Sequence, residues 1–123
     1  MNLSRLVIRG FALALVFAIM LPPLSRVLAA DSETATEFGI YCAKCHGTEG
    51  QGDGPNASTL KTKPRDFADC NRMKSESDDM LFNVIKNGGP AGKFSADMPA
   101  WKEGFEDAEI HDLVKFVRGF CKQ

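Results

Sequence analysis

Cys42-Ala43-Lys44-Cys45-His46 is a C-x-x-C-H run, and no other five residues constrain the chain as much. Two thiols three positions apart can each add across a vinyl group of one porphyrin, forming two thioether links. The imidazole that follows then lies beneath the ring, where it can bind iron as the proximal ligand. Cys42 and Cys45 are therefore read as haem attachment points and His46 as an axial ligand. The competing readings are a redox C-x-x-C pair and half of a zinc site. Zinc would need two more ligands, and only Cys70, Cys121 and His111 remain, without a second close pair. A thioredoxin-like dithiol would need a βαβ context, and none is evident.

The N-terminus sets the compartment. Arg5 and Arg9 precede an apolar run from Gly10 to Leu21, and Val27-Leu28-Ala29-Ala30 ends in small residues. That is the layout of a secretory signal peptide, with cleavage expected after Ala29 or Ala30. A membrane span would need roughly 20 apolar residues, and this run is short of that. The expected organisation is a leader over residues 1–30 and one domain over 31–123, exported to the periplasm. Haem attachment to C-x-x-C-H in bacteria takes place on that same side of the membrane.

Three arginines and no acids leave with the leader, so Lys+Arg falls from 15 to 12 against 16 acids, a charge of about −4. Nothing in that balance supports nucleic-acid binding or an anionic membrane surface. A mature chain this short has a thin core, much of which a large flat apolar cofactor can fill. Cys70 and Cys121, with 50 residues between them, are expected to form a disulfide in an oxidising compartment.

Three helices separated by loops are expected, with no strand. The first covers about 33–45 and runs into the haem motif. The second, 77–87, is capped by Ser75 or Ser77, carries Met80, Leu81, Val84 and Ile85 on one face, and stops at Gly88-Gly89-Pro90. The third, 107–120, places Ile110, Leu113, Phe116, Val117 and Phe120 on one face, to pack against the first. Gly47 to Pro55 holds four glycines and must be a loop, expected to let backbone pass close to the porphyrin.

The second axial ligand has to come from His111, Met73, Met80 or Met98. His111 falls beside Lys115 and Arg118 on the polar side of the last helix, and Met80 lies on the apolar stripe of the second. Met73 is possible but unsupported. Met98 follows a glycine-containing loop and precedes Pro99, which stiffens the backbone. Met98 is the expected ligand, with Met73 next.

C-x-x-C-H-G, the G-x-G-D-G-P loop, Met98-Pro99-Ala100-Trp101 and the helix Glu109 to Arg118 together resemble a class I c-type cytochrome over essentially the whole mature chain. The resemblance implies an all-α fold whose first and last helices cross around one covalently bound haem c with one edge exposed. It places Phe38 and Phe116 at the helix crossing and Trp101 against the haem. It also implies that a proline carbonyl, of Pro55 or Pro64, accepts the proximal imidazole N–H. Thr34 stands where the family usually has glycine, and the second cysteine pair is an addition.

Histidine and methionine on the two faces leave iron no open position, which suits one-electron transfer between redox protein partners rather than enzymic turnover. The expected protein is a periplasmic monomeric carrier that does not span the membrane. A gas-binding (CO/NO) sensor with a labile sixth ligand and a haem subunit of a larger oxidoreductase complex are the rivals. Lys44, Lys61, Lys63, Arg65, Lys93 and Lys102 are expected near the haem, with Glu76, Asp78, Asp79 and the acids of 103–112 further away. This could form a basic docking rim or an ordinary mixed surface.

Overall fold

The computed structural model describes residues 24–121, with side chains from residue 31. Most of the expected leader lies outside the described residues. The first helix is longer and less regular than its periodicity suggests. It runs as α1 (Leu24–Glu37), loosens into a π turn over Phe38–Cys42, and regains α geometry in α2 (Ala43–His46). Thr34 and Phe38, one turn apart and therefore on one face, are both buried.

The C-terminal helix, α5 (Asp107–Arg118), starts at a capping box. The Glu109 carboxylate accepts the Glu106 N–H at 2.6 Å, while the Glu106 side chain caps in return. Ile110, Leu113, Val114 and Val117 form its buried face, and it packs against both α1 and the helix that precedes it. At the α1–α5 contact Phe38 meets Phe116 and Phe120, with ring centroids 5.1 and 5.2 Å apart.

Two further helices complete the domain. In α4 (Asp78–Asn87) the Ser77 hydroxyl accepts the Met80 N–H at 3.1 Å, Leu81 is buried, and Gly88 at φ 86° ends the helix. Lys86 reaches Asp107 at 2.6 Å, tying α4 to the start of α5. The five-residue α3 (Cys70–Lys74) was not among the three helices expected. It is too short to show a periodicity, and it forms because the Asp69 carboxylate accepts the Arg72 N–H at 3.2 Å. Its Met73 is almost wholly enclosed. No strand occurs among the described residues.

Cys70, at the start of α3, is joined to Cys121, just past α5, with their Cα atoms 5.0 Å apart. Beside this junction Arg118 gathers the α3–α4 connection. Its Nε donates to Asp78 at 2.8 Å, and its two terminal nitrogens donate to the carbonyls of Met73 and Glu76.

Ile110 has no exposed surface and sits at the centre of the core. Ile110→Ala is expected to cost about 2–5 kcal/mol, the usual range for emptying an enclosed aliphatic site. Denaturant unfolding of the holoprotein measures it, and a loss below about 1 kcal/mol would mean that the core collapses onto the gap.

Candidate haem site

The π turn delivers Cys42, and α2 places Cys45 and His46 one turn later. Burial pushes the Cys42 thiol up to about 11, with Glu37 adding to the shift, so the sulfur carries its proton. Burial also pushes the His46 imidazole down to about 4, so the ring is neutral. A neutral ring with its proton on Nδ1 offers Nε2 as a lone pair to a metal.

The acceptor for that proton is a backbone carbonyl, as expected, but of a different residue. His46 Nδ1 lies 3.3 Å from the carbonyl oxygen of Arg65. Neither Pro55 nor Pro64 supplies it. Pro64 fixes φ just before Arg65, and its own carbonyl faces Gly52 instead.

The glycine loop has a role within the chain itself. It folds back over the end of the cysteine–histidine helix, and Gly52, Gly54 and Asn56 donate to the carbonyls of His46, Cys45 and Lys44 at 2.8, 3.1 and 2.8 Å. A Cβ on Gly54 would stand 2.4 Å from the Ala43 carbonyl oxygen, and one on Gly52 2.4 Å from that of Pro64. The close approach is thus to the chain's own backbone. These glycines let the loop close the helix end and present the segment that bears Arg65.

His46, Cys42 and Met98 open onto one narrow cleft of about 30 Å³, whose other walls are Phe38, Phe67, Ile85, Trp101, Phe105, Leu113 and Val117. Met98 is held by its main chain: its carbonyl accepts from Gly89 at 3.0 Å and its N–H donates to Ser95 at 3.2 Å. Trp101 then donates to the Ile85 carbonyl at 3.1 Å, pinning the Met98-Pro99 loop to α4. The other candidate ligands lie elsewhere. Met73 is in the core, Met80 packs on its edge, and exposed His111 stacks on Phe82 with centroids 4.3 Å apart.

One aromatic has a place that the sequence did not suggest. The Phe67 ring stacks on His46 at 4.6 Å and 18°. Tyr41, half exposed, meets Trp101 and Phe105 edge-on at 5.6 and 5.5 Å at the margin of the cleft.

The expected separation of charge does not hold at Arg65. Its guanidinium pairs with Glu76 at 2.7 Å, both side chains being largely enclosed, so Glu76 stands beside the site and Arg65 is withdrawn from any rim. Lys44, Lys61, Lys63, Lys93 and Lys102 are exposed.

An apolar cleft walled in part by the Cys42 thiol, a neutral imidazole and a thioether, with Cys45 next to His46 in the chain, suits a metalloporphyrin, whose rim is apolar and whose metal takes nitrogen and sulfur ligands. Residues 29–117 match the family described as cytochrome c oxidase, cbb3-type, subunit III. The chain belongs to that family. It is a c-type cytochrome, and as such carries covalently bound haem c and works by haem-based electron transfer. Among solved structures it is similar to the KustC0563 c-type cytochrome, at 29% identity and a TM-score of 0.59, over 72% of this chain and 98% of that one. No curated protein shows significant similarity to it. Cytochromes of this kind are generally electron carriers and not enzymes, although cbb3-type subunits belong to an oxidase complex. They are typically exported, and no described helix of this one is long and apolar enough to cross a membrane.

Proposed function

We propose that the mature cytochrome is a periplasmic one-electron carrier with a single haem, linked through Cys42 and Cys45 and bound at iron by His46 and Met98. The observation that carries this is the convergence of His46 and Met98 on one apolar cleft. The haem supplies a one-electron Fe(III)/Fe(II) couple. His46 contributes a neutral imidazole whose Nδ1–H is directed at the Arg65 carbonyl, which fixes the tautomer and raises the basicity of Nε2. Met98 contributes a soft thioether that favours the reduced state. Phe38, Phe67, Leu113 and Val117 keep water from the cleft, and a low dielectric penalises the extra positive charge of the ferric form. Were His46 and Met98 both to hold the iron, no open position would remain for a substrate, and the protein would exchange electrons with redox partners only. Removal of residues 1–30 during export and closure of Cys70–Cys121 in an oxidising compartment belong to the same reading.

The attachment chemistry has a direct test. The intact mass of the denatured, purified protein should equal the chain from residue 30 or 31 plus one haem, and the pigment should resist acid–acetone extraction. Cys42→Ala/Cys45→Ala should release all of it. A second haem mass, or pigment that extracts freely from the unaltered protein, would contradict the reading.

The family match gives specific support to a second reading, a fixed haem subunit of a larger oxidoreductase. A protein recovered wholly in the periplasmic fraction as a monomer supports the shuttle. Co-purification with a membrane oxidase through detergent and salt washes supports the subunit.

A further inference from the structure

The segment Arg65–Phe67 meets the His46 ring on two sides. The Arg65 carbonyl faces Nδ1 at 3.3 Å, and two residues later the Phe67 ring lies against the imidazole face at 4.6 Å. An imidazole bound through Nε2 can still turn about the metal–nitrogen bond. Its orientation and its Nδ1–H hydrogen bond tune how strongly it donates to the metal. A carbonyl alone restrains the ring at one atom, whereas an aromatic wall restrains its plane.

The same segment is anchored at both ends. The Phe67 N–H donates to the Gly50 carbonyl at 2.7 Å. Arg65 is held by Glu76 at 2.7 Å, with side-chain exposures of only 14% and 12%, and its guanidinium covers the Phe94 ring at 4.9 Å. Glu76 is fixed in turn, because Arg118 donates to its carbonyl. Arg72, at 3.9 Å from the same carboxylate oxygen and mostly exposed, is a looser partner. The pair therefore links the α3–α4 connection to the residue whose carbonyl faces the proximal ring.

We propose that Phe67 is a positioning residue for the proximal imidazole, and that Glu76 acts on the same ring at one remove by holding Arg65. This rests on His46 being the iron ligand. The test is NMR of the reduced, histidine-labelled holoprotein, together with midpoint potential and thermal unfolding, for Phe67→Leu, Glu76→Ala and Glu76→Gln. Exchange of the His46 Nδ1 proton with solvent should be faster in Phe67→Leu and Glu76→Ala than in the unaltered protein, because the outer-shell groups that hold the ring are weakened. The potential should rise in both, since a more weakly hydrogen-bonded imidazole stabilises ferric iron less. Glu76→Gln keeps an oxygen on Arg65 and should exchange its Nδ1 proton as the unaltered protein does.

Unchanged exchange and potential in Phe67→Leu and Glu76→Ala, with only a lower melting temperature, would overturn the proposal and leave both residues as packing. If Phe67→Leu does not accumulate, the Glu76 pair decides alone, because equal exchange in the alanine and glutamine variants overturns it. Failure of the ligand reading itself would look different. The His46 ring protons of the unaltered protein would then lack the large upfield shift imposed by a porphyrin.

Discussion

Met98→Ala should open the ferrous protein to CO, abolish the weak ferric red band of sulfur ligation, and lower the midpoint potential by a few tenths of a volt. That is a sizeable part of the roughly 0.8 V that axial ligation spans. The effect isolates the thioether. Met98 is held through its carbonyl to Gly89 and its N–H to Ser95, and Trp101 anchors the loop through Ile85. All of these are main-chain bonds that alanine keeps. The loop should therefore stay in place while the sulfur is lost, leaving an open position above a ring still bound by His46. Absorption spectra with and without CO, and a redox titration, check the result. A variant that still excludes CO at an unchanged potential would move the ligand to another residue. Met73 is a poor replacement, because it is sealed in the core.

The second large effect concerns stability. Cys70→Ala/Cys121→Ala removes a cross-link that closes a loop of 51 residues. Loop-closure entropy for that length corresponds to about 4 kcal/mol. Domains of this size are stable by only about 5–15 kcal/mol, and each kcal/mol shifts the melting temperature by about 4–8 °C. The variant should accordingly melt roughly 15–30 °C lower. The loss has a local focus. Cys121 follows Phe120, whose ring meets Phe38 at 5.2 Å, Phe116 at 5.3 Å and Phe67 at 6.4 Å. Freed of its tether, this aromatic group should loosen before the rest of the core. Calorimetry of the holoprotein measures the shift. A change of less than about 3 °C would mean that helix packing alone holds the C-terminus, against the chain-entropy argument.

What the sequence reveals divides along physical lines. The cysteine–histidine run is legible because its chemistry lies within five consecutive residues. Helix α5 is legible because Ile110, Leu113 and Val117 repeat at helical spacing, and α4 because Ser77 and Gly88 mark its ends. The π turn before Cys42 carries no compositional mark, and α3 is too brief for any period to register. The Arg65 carbonyl could not be picked out by residue type, since every residue has a carbonyl and only the folded loop decides which one faces His46. The Arg65–Glu76 pair is illegible for a related reason: position along the chain does not reveal that these two side chains meet across a loop and α3. The glycine loop was legible as a loop, but not as one that packs against its own helix end.

The central claim is a closed iron site in a covalent haem, and absorption spectroscopy of the purified periplasmic form tests it most directly. Ferric and ferrous spectra should be recorded with and without CO. The account predicts a c-type ferrous spectrum, a weak ferric red band from sulfur ligation, and no change on adding CO. A five-coordinate spectrum, or one that shifts promptly with CO, would contradict it and make the protein a gas-binding cytochrome.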